Sequence, residues 1–284
     1  MIPIGVNLTS IGVTSAWWLE SAQQVEKSGF AAVWCWDHHV SRGKKSDPVL
    51  ECWTTLTAAA AHTSRIKVGS FVTNVMNRHP QILARMLATM WDQSHGRVQL
   101  GIGVGGNSGE TEAYGISFPE PKERAQILEE AVAVIRLIWS GGPADFDGRY
   151  FRLKEAWSHP APEPPPRIII GGEKPAGARL AARAGDGWTT NAADYETLLP
   201  IHLAELSAHG RSRAQVTHLV AVQLSRDEPL DSQPLIADMR AFAAEWEAKG
   251  ADELVVSWVR PADLPALLAA AERAGLPAAA ARGQ

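Results

Sequence analysis

The chain has 284 residues, a formal net charge of −4 and a hydrophobic fraction of 45%. This length and polarity allow one large buried core, so we expect a single domain over residues 1–284. The near-neutral charge excludes the basic surface that nucleic acids and anionic membranes require, which leaves a small-molecule substrate as the expected partner. The start, MIPIGVNLTS, lacks the pattern of a signal peptide, and no apolar run is long enough to span a membrane, so we expect a cytoplasmic protein.

Short apolar segments alternate with longer amphipathic segments along the whole chain. We predict strands near residues 3–9, 31–36, 66–72, 97–102, 167–171, 186–190, 216–224 and 252–257. Helical patterns follow them near residues 17–28, 50–63, 80–93, 121–139, 174–184, 194–208, 233–248 and 261–274. Eight strands, each followed by a helix, predict an α/β fold of the (β/α)8 TIM barrel type, in which the loops after the strands carry function.

Two kinds of insertion are expected in this barrel. The irregular segments after the second, third and fourth predicted strands are long enough to form extended loops. Before the fifth strand, the segment GGPADFDGRYFRL predicts a hairpin, and HPAPEPPP predicts a stiff, proline-rich approach to that strand.

The segment LGIGVGGNSGE contains Gly-x-Gly-x-x-Gly at Gly101, Gly103 and Gly106, the spacing typical of dinucleotide-binding folds. In those folds the last glycine opens a helix, whereas the next predicted helix here begins near residue 121. We therefore favour a ligand-binding barrel loop over a dinucleotide-binding fold, with an ordinary turn as the remaining alternative. Gly171 and Gly172, shortly before Pro175 and a helix, suit either a phosphate site at a helix N-terminus or a tight turn.

The segment VWCWDHHV places Asp37, His38 and His39 at the end of the second predicted strand. Histidine titrates near neutrality, which suits a side chain that takes or gives a proton. Acid–base chemistry is the favoured interpretation, and hydrogen bonding of the loop by Asp37 is the second. A metal site is the third, but His79 is the only obvious further ligand, and we expect no metal. The flanking residues Trp34 and Trp36 could stack near a ligand.

Five segments in a fixed order carry a resemblance to a known family. They are GFAAVWCWDHH, IKVGSFVTNVMNRHP, GRVQLGIGVGG, FPEPKERAQILEEAVAVIRLIWSGGPADFDGRYFRL and IIIGGEKPAGARLAARAGDGW. Together they resemble the luciferase-like monooxygenase superfamily, specifically the branch that uses the deazaflavin coenzyme F420. The resemblance covers nearly the whole chain.

This resemblance implies that the deazaflavin lies across the barrel mouth, with His38 at its reacting face. It also implies a non-prolyl cis peptide at Phe71-Val72 and a homodimeric protein. The cofactor contacts that it implies are Asp37, Phe71, Val72, Thr73, Asn74, Val104, Gly105, Gly106, Gly171 and Gly172.

Two positions depart from the sugar-phosphate dehydrogenases of this family. Gly106 stands where they place a glutamate, and the segment Ser41-Arg42-Gly43 stands where they place a tryptophan. These departures argue against a sugar phosphate as substrate. They also leave His38 to act alone or with a group of the substrate.

The sequence therefore predicts an oxidoreductase that transfers a hydride between F420 and a small organic substrate, while Asp37 orients His38 or contacts the ring. One alternative is a monooxygenase of the same family that uses reduced FMN and O2. A second is a non-catalytic protein that binds a flavin or F420. A third is a metal-dependent barrel hydrolase, since barrels of this type host many chemistries.

Overall fold

Residues 1–41 and 43–277 are described by a computed structural model, and Arg42 lies outside the described residues. In chain order the strands are β1 (Ile4–Leu8), β2 (Ala32–Cys35), β3 (Lys67–Ser70), β4 (Thr73–Asn74), β5 (Val98–Gly103), β6 (Ala144–Asp147), β7 (Arg152–Ala156), β8 (Ile168–Gly171), β9 (Gly187–Asn191), β10 (Thr217–Gln223) and β11 (Glu253–Val259). The helices are α1 (Ser15–Lys27), α2 (Cys52–His62), α3 (Pro80–Gln93), α4 (Ser108–Ala113), α5 (Pro121–Trp139), α6 (Pro175–Ala184), α7 (Ala192–Ala208), α8 (Pro234–Ala237), α9 (Met239–Ala248) and α10 (Leu264–Ala274).

Eight parallel strands close into a barrel in the order β3, β2, β1, β11, β10, β9, β8 and β5, and the pairing of β3 with β5 completes the ring. The short strand β4 adds to the upper end of β5. The predicted (β/α)8 barrel is confirmed, and each of its eight strands overlaps a predicted segment. The predicted hairpin is also confirmed, since β6 and β7 pair antiparallel before β8.

Two helix predictions need correction. The helix predicted over 233–248 is divided into α8 and α9 at Asp238, whose carboxylate caps α9 by accepting from the N–H of Ala241 at 3.0 Å. The short helix α4 lies in the segment before residue 121, where the sequence predicts irregular structure. Asn107 begins it by accepting from the N–H of Glu110 at 3.2 Å, so local capping rather than an apolar face defines this helix.

Trp34 fills the centre of the barrel. A methyl group at Gly5 would lie 2.6 Å from its Nε1, and one at Gly69 would lie 2.5 Å from its Cζ3. The indole therefore occupies space that only glycine leaves free on the neighbouring strands. Trp34 is completely buried, so of the two tryptophans that the sequence analysis offered as a stacking residue, Trp36 is the accessible one.

A polar cluster closes the end of the barrel at which the strands begin. Arg167, just before β8, donates to Gln99 Oε1 at 2.5 Å, to Glu253 Oε1 at 2.7 Å and to Thr217 Oγ1 at 2.9 Å. A ligand therefore enters from the opposite end, where the strands finish. Within residues 1–41 and 43–277, we find no helix with both the length and the apolar character that crossing a membrane requires.

Candidate active site at the mouth of the barrel

The predicted site segments follow four neighbouring strands. Asp37 and His38 follow β2, residues 71–74 follow β3, residues 104–106 follow β5, and residues 171–172 end β8. Because the strands are parallel, their carboxyl ends meet at one mouth. The structure therefore brings the predicted segments together, and contacts between them define the geometry.

His38 has a buried carboxylate partner from a different loop. Its Nδ1 lies 2.9 Å from Oε2 of Glu110, a residue of α4 that is 6% exposed. The same carboxylate accepts the backbone N–H groups of His39 and Val40, so both of its oxygens face this loop. Burial raises the pKa of Glu110, but the hydrogen bonds from His38 and from these N–H groups lower it more, so the carboxylate is ionised at neutral pH.

This pairing favours one tautomer of the imidazole. An ionised carboxylate at Nδ1 favours the tautomer that carries its proton there, which leaves Nε2 of His38 as a proton acceptor. The second acid that the sequence analysis found missing beside His38 is thus present, and the role of His38 in proton transfer stays a prediction. The sugar-phosphate dehydrogenases of the family place a glutamate where this chain has Gly106. Here the carboxylate next to His38 belongs to Glu110, four residues further along the chain.

Asp37 has a different partner from the one predicted. Its carboxylate accepts from Arg78 at 2.7 and 2.9 Å and from the backbone N–H of Asn74 at 3.2 Å. Of the two roles predicted for Asp37, the orientation of His38 therefore falls to Glu110. Asp37 instead joins the loop after β2 to the loop after β3, and Arg78 extends this connection to Glu51 at 2.5 Å.

Val72 lies against a surface made of glycines. The Phe71-Val72 peptide bond is cis, as predicted. Methyl groups at Gly103 and Gly171 would lie 3.0 and 3.1 Å from Val72 Cγ2, and one at Gly101 would collide with the carbonyl oxygen of Ser70. Strands β5 and β8 therefore approach Val72 closely only because they end in glycine.

Gly105 and Gly106, in the loop after β5, have different surroundings. Gly105 has a φ of +77° and lies against the side chain of Asn74, which explains why glycine stands there. A methyl group at Gly106 would have no heavy atom within 4 Å, so the surroundings of this residue are open. The glycines open directly into α4, and the prediction that the next helix begins near residue 121 is wrong.

Gly172 is explained by packing. Its N–H donates to the carbonyl of Thr189 at 2.9 Å, and a methyl group on it would lie 2.5 Å from the backbone of Gly177 in α6. This close approach is what a tight turn at Gly171 and Gly172, the second alternative of the sequence analysis, requires. No side-chain hydrogen bond caps the N-terminus of α6, which begins at Pro175.

On the other side of His38, sequence reasoning identified Trp36 but missed the two side chains next to it, Trp258 and Arg226. The ring of Trp36 lies 5.4 Å from the His38 ring and 5.1 Å from the ring of Trp258, at the end of β11. The guanidinium of Arg226, in the loop after β10, lies 4.0 Å from the centroid of the Trp258 ring. Trp36 and Trp258 are partly buried, whereas Arg226 is exposed. We call Trp36, Trp258 and Arg226 the aromatic wall.

The other candidate ligands have structural roles. His79 caps α3 by accepting from the N–H of Gln81 at 3.3 Å, and its ring packs on Phe151. Cys35 and Cys52 are buried free thiols. Over the part of the chain that the structure describes, no three His, Cys, Asp or Glu side chains are grouped as metal ligands would be.

Comparison with known proteins identifies the family. The family model described as luciferase-like monooxygenase matches residues 13–251. This chain belongs to the luciferase-like monooxygenase family. The resemblance that the five sequence segments predict is confirmed.

Two relatives of this luciferase-like protein are named for coenzyme F420. The F420-dependent glucose-6-phosphate dehydrogenase of Kineococcus radiotolerans is 36% identical over 218 residues, which cover 73% of this chain and 63% of the relative. The F420-dependent hydroxymycolic acid dehydrogenase of Mycobacterium tuberculosis is 36% identical over 193 residues, which cover 67% of this chain and 53% of the relative. The chain thus aligns with less than two thirds of the length of either relative.

Solved structures share the luciferase-like barrel. An F420-dependent secondary alcohol dehydrogenase in complex with an F420-acetone adduct aligns with a TM-score of 0.81 and 22% identity, over 94% of this chain and 99% of that one. A riboflavin lyase with modified FMN aligns with a TM-score of 0.79 and 14% identity, over 100% of this chain and 94% of that one. At these identities, the likeness establishes the fold alone.

Proposed function

We propose that this protein is an oxidoreductase that transfers a hydride between coenzyme F420 and a small alcohol or carbonyl compound. His38 is the proton donor or acceptor. The observation that carries the proposal is the buried carboxylate of Glu110, 2.9 Å from Nδ1 of His38 at the barrel mouth. The two relatives named as F420-dependent dehydrogenases support the cofactor and the oxidation of an alcohol or the reverse reaction.

The shape of the mouth fits a flat ring system. Gly101, Gly103 and Gly171 leave space that Val72 enters, and the open surroundings of Gly106 would admit a ligand edge. When bound, F420 supplies the hydride acceptor or donor at C5 of its deazaflavin ring. The residues that we propose to hold it are Asp37, Phe71, Val72, Thr73, Asn74, Val104, Gly105, Gly106, Gly171 and Gly172.

In alcohol oxidation, Nε2 of His38 would take the hydroxyl proton, and bound F420 would supply the two-electron acceptor for the hydride of the carbinol carbon. Glu110 holds Nδ1–H of His38 and balances the positive charge that the ring acquires. In the reverse reaction, the protonated ring donates to the carbonyl oxygen.

The first test is a side-by-side titration of the protein with F420 and with FMN, in oxidised and reduced forms, followed by fluorescence. We expect micromolar or tighter binding of F420 and much weaker binding of FMN. A preference for FMN would move the protein to the monooxygenase alternative, and oxygen uptake with a flavin reductase would then be measured.

The second test is the variant His38→Ala. We expect turnover to fall by about 10²–10⁴, the range for loss of one acid–base group, with the Kd for F420 within about twofold of the parent value. His39→Ala is the matched control, because the ring of His39 packs on Tyr114, with 4.9 Å between the ring centroids. Equal turnover of His38→Ala and the parent would remove His38 from the mechanism, and F420 binding without turnover of any substrate would favour the non-catalytic alternative.

The same proposal takes residues 1–284 as one domain of a cytoplasmic homodimer. Helix α3 supports self-association, since Ile82 is 50% exposed and lies one turn before the partly buried Met86 on the same face. Light scattering after size exclusion should give twice the chain mass, and Ile82→Asp should lower the dimer fraction. A parent protein that elutes as a monomer at micromolar concentration would contradict the dimer.

A further inference from the structure

Trp258 reaches the mouth through an irregularity in the barrel. Strands β1 and β11 pair in register up to Val6 and Val256, but the next pair is Leu8 with Val259, so β11 carries one extra residue. Trp258 lies in this bulge with a φ of +61°, and its N–H donates to Oδ1 of Asn7 at 3.2 Å. A large side chain rarely adopts this backbone conformation, and bulges at barrel rims commonly redirect a side chain.

The alternation along β11 shows what the bulge changes. Val255 faces the interior of the barrel, whereas Leu254 and Val256 pack outward against the helices. A regular strand would therefore point residue 258 outward as well. The bulge instead brings the ring of Trp258 to 5.1 Å from that of Trp36, whose edge meets His38.

Charged side chains surround Trp258 in the aromatic wall. Arg226 covers the Trp258 ring at 4.0 Å, a distance at which a guanidinium and an indole attract each other. Burial raises the pKa of Asp263, but hydrogen bonds from Arg260 and the charge of Arg226 lower it more, so a carboxylate lies nearby. Arg260 itself pairs with Asp263 at 2.8 Å. The guanidinium of Arg226 is therefore engaged by the Trp258 ring, and that of Arg260 by Asp263.

We propose that the Trp36–Trp258 pair binds an apolar, ring-sized substituent on the reacting carbon of the substrate. This inference rests on the proposed function, because it places that carbon between His38 and F420. Two indoles beside the imidazole offer apolar area, and burial of such area favours hydrocarbon over hydroxyl or phosphate groups. The substrate class is therefore a secondary alcohol or ketone with an aryl or cycloalkyl group.

The experiment compares 1-phenylethanol, 2-propanol and glucose 6-phosphate as electron donors for F420 in the parent protein and in Trp258→Gly. Glycine suits the φ of +61°, so this variant preserves the bulge. We expect kcat/KM for 1-phenylethanol to fall by about 30-fold, with 2-propanol changed by less than about threefold. Trp258→Phe should restore most of the loss, and Trp157→Ala, at a side chain that is 60% exposed, is the surface control.

Two outcomes would overturn the inference. One is a parent protein that prefers glucose 6-phosphate or 2-propanol to 1-phenylethanol. The other is an equal loss for both alcohols in Trp258→Gly, which would indicate a general disturbance of the site.

The Kd for F420, measured separately on each variant, distinguishes a failed inference from a failed function. If F420 does not bind, the proposed function fails. If it binds but no alcohol reacts, tryptophan fluorescence is used to compare acetophenone and acetone binding to the F420-loaded protein. Failure of acetophenone to bind more tightly than acetone, or the same acetophenone affinity in Trp258→Gly, overturns the proposal.

Discussion

Nδ1 of His38 and Oε2 of Glu110 lie 2.9 Å apart although 72 positions separate them in the chain. The loop after β2 carries the histidine, and the helix after β5 carries the carboxylate. Neither residue is held by its own loop alone, because the same carboxylate also binds the backbone of residues 39 and 40. The pair therefore fixes both the tautomer of the histidine and the conformation of its loop.

Glu110→Gln tests this pair. We expect turnover to fall by about 10²–10⁴, because the amide NH2 placed at Nδ1 would favour the opposite tautomer and fill the proton-accepting position at Nε2. The Kd for F420 should remain within about twofold, and the acid limb of the kcat profile should shift. Glu112→Gln, on the exposed side of the same helix, is the control. Parent-like turnover in Glu110→Gln would show that the carboxylate has no part in proton transfer.

Gly106→Ala tests whether the glycine loop contacts the cofactor. The protein places no heavy atom within 4 Å of the added methyl group, so the melting temperature without cofactor should be unchanged. A ligand against this backbone would collide with the methyl group, and we expect the Kd for F420 to rise about tenfold. Gly109→Ala in α4, with its nearest atom at 3.8 Å, should keep both values. Unchanged F420 affinity in Gly106→Ala would remove Gly106 from the cofactor site.

Arg78→Met tests the connection between the loops after β2 and β3. Asp37 is 7% exposed, and loss of the two hydrogen bonds from Arg78 leaves its buried charge with the N–H of Asn74 but without an opposite charge. We expect the free energy of unfolding in urea to fall by about 3–5 kcal/mol. Arg85→Met, at an exposed position of α3, should change it by less than about 0.5 kcal/mol. A loss under about 1 kcal/mol in Arg78→Met would mean that water or a rearranged side chain replaces the arginine.

A buried histidine cluster predicts sensitivity to acid. His218 Nδ1 lies 3.0 Å from the hydroxyl of Tyr195, and the ring of His202 lies 4.9 Å from that of His218. Burial, with the charges of Arg213 and His202, lowers the pKa of His218 to about 2. Between about pH 6.5 and pH 2, His218 is therefore protonated in the unfolded chain but neutral in the folded chain. Stability from this group is complete above pH 6.5 and is lost as the pH falls below it.

Urea unfolding at pH 7.5, 6.5, 5.5 and 5.0 measures this effect. We expect the free energy of unfolding to fall by up to about 1.4 kcal/mol for each pH unit below 6.5 for His218, and His218→Gln should remove that part of the slope. His62→Gln, at an exposed histidine, should keep the parent slope. A His218→Gln protein with the parent slope would assign the acid sensitivity to other groups.

Local pattern was sufficient for the barrel and for part of the site. Every barrel strand follows from its apolar run, and Asp37, His38 and the glycines follow from their position at strand ends. Glu110 was missed although Asn107 stands three residues before it, a spacing that predicts a helix start. That signal identifies α4 but cannot assign its carboxylate to a histidine on another loop.

Periodicity and strand-end motifs are properties of neighbouring residues, so they were sufficient to predict the fold and the mouth at which we place the chemistry, and the five resembling segments predicted the family. The three-dimensional structure was needed to show which carboxylate meets His38 and which tryptophan packs on Trp36. Glu110 depends on how two loops meet, and Trp258 depends on one extra residue in the pairing of the first and last barrel strands. Contacts between segments far apart in the chain depend on register and on loop conformation, and no single segment encodes either of them.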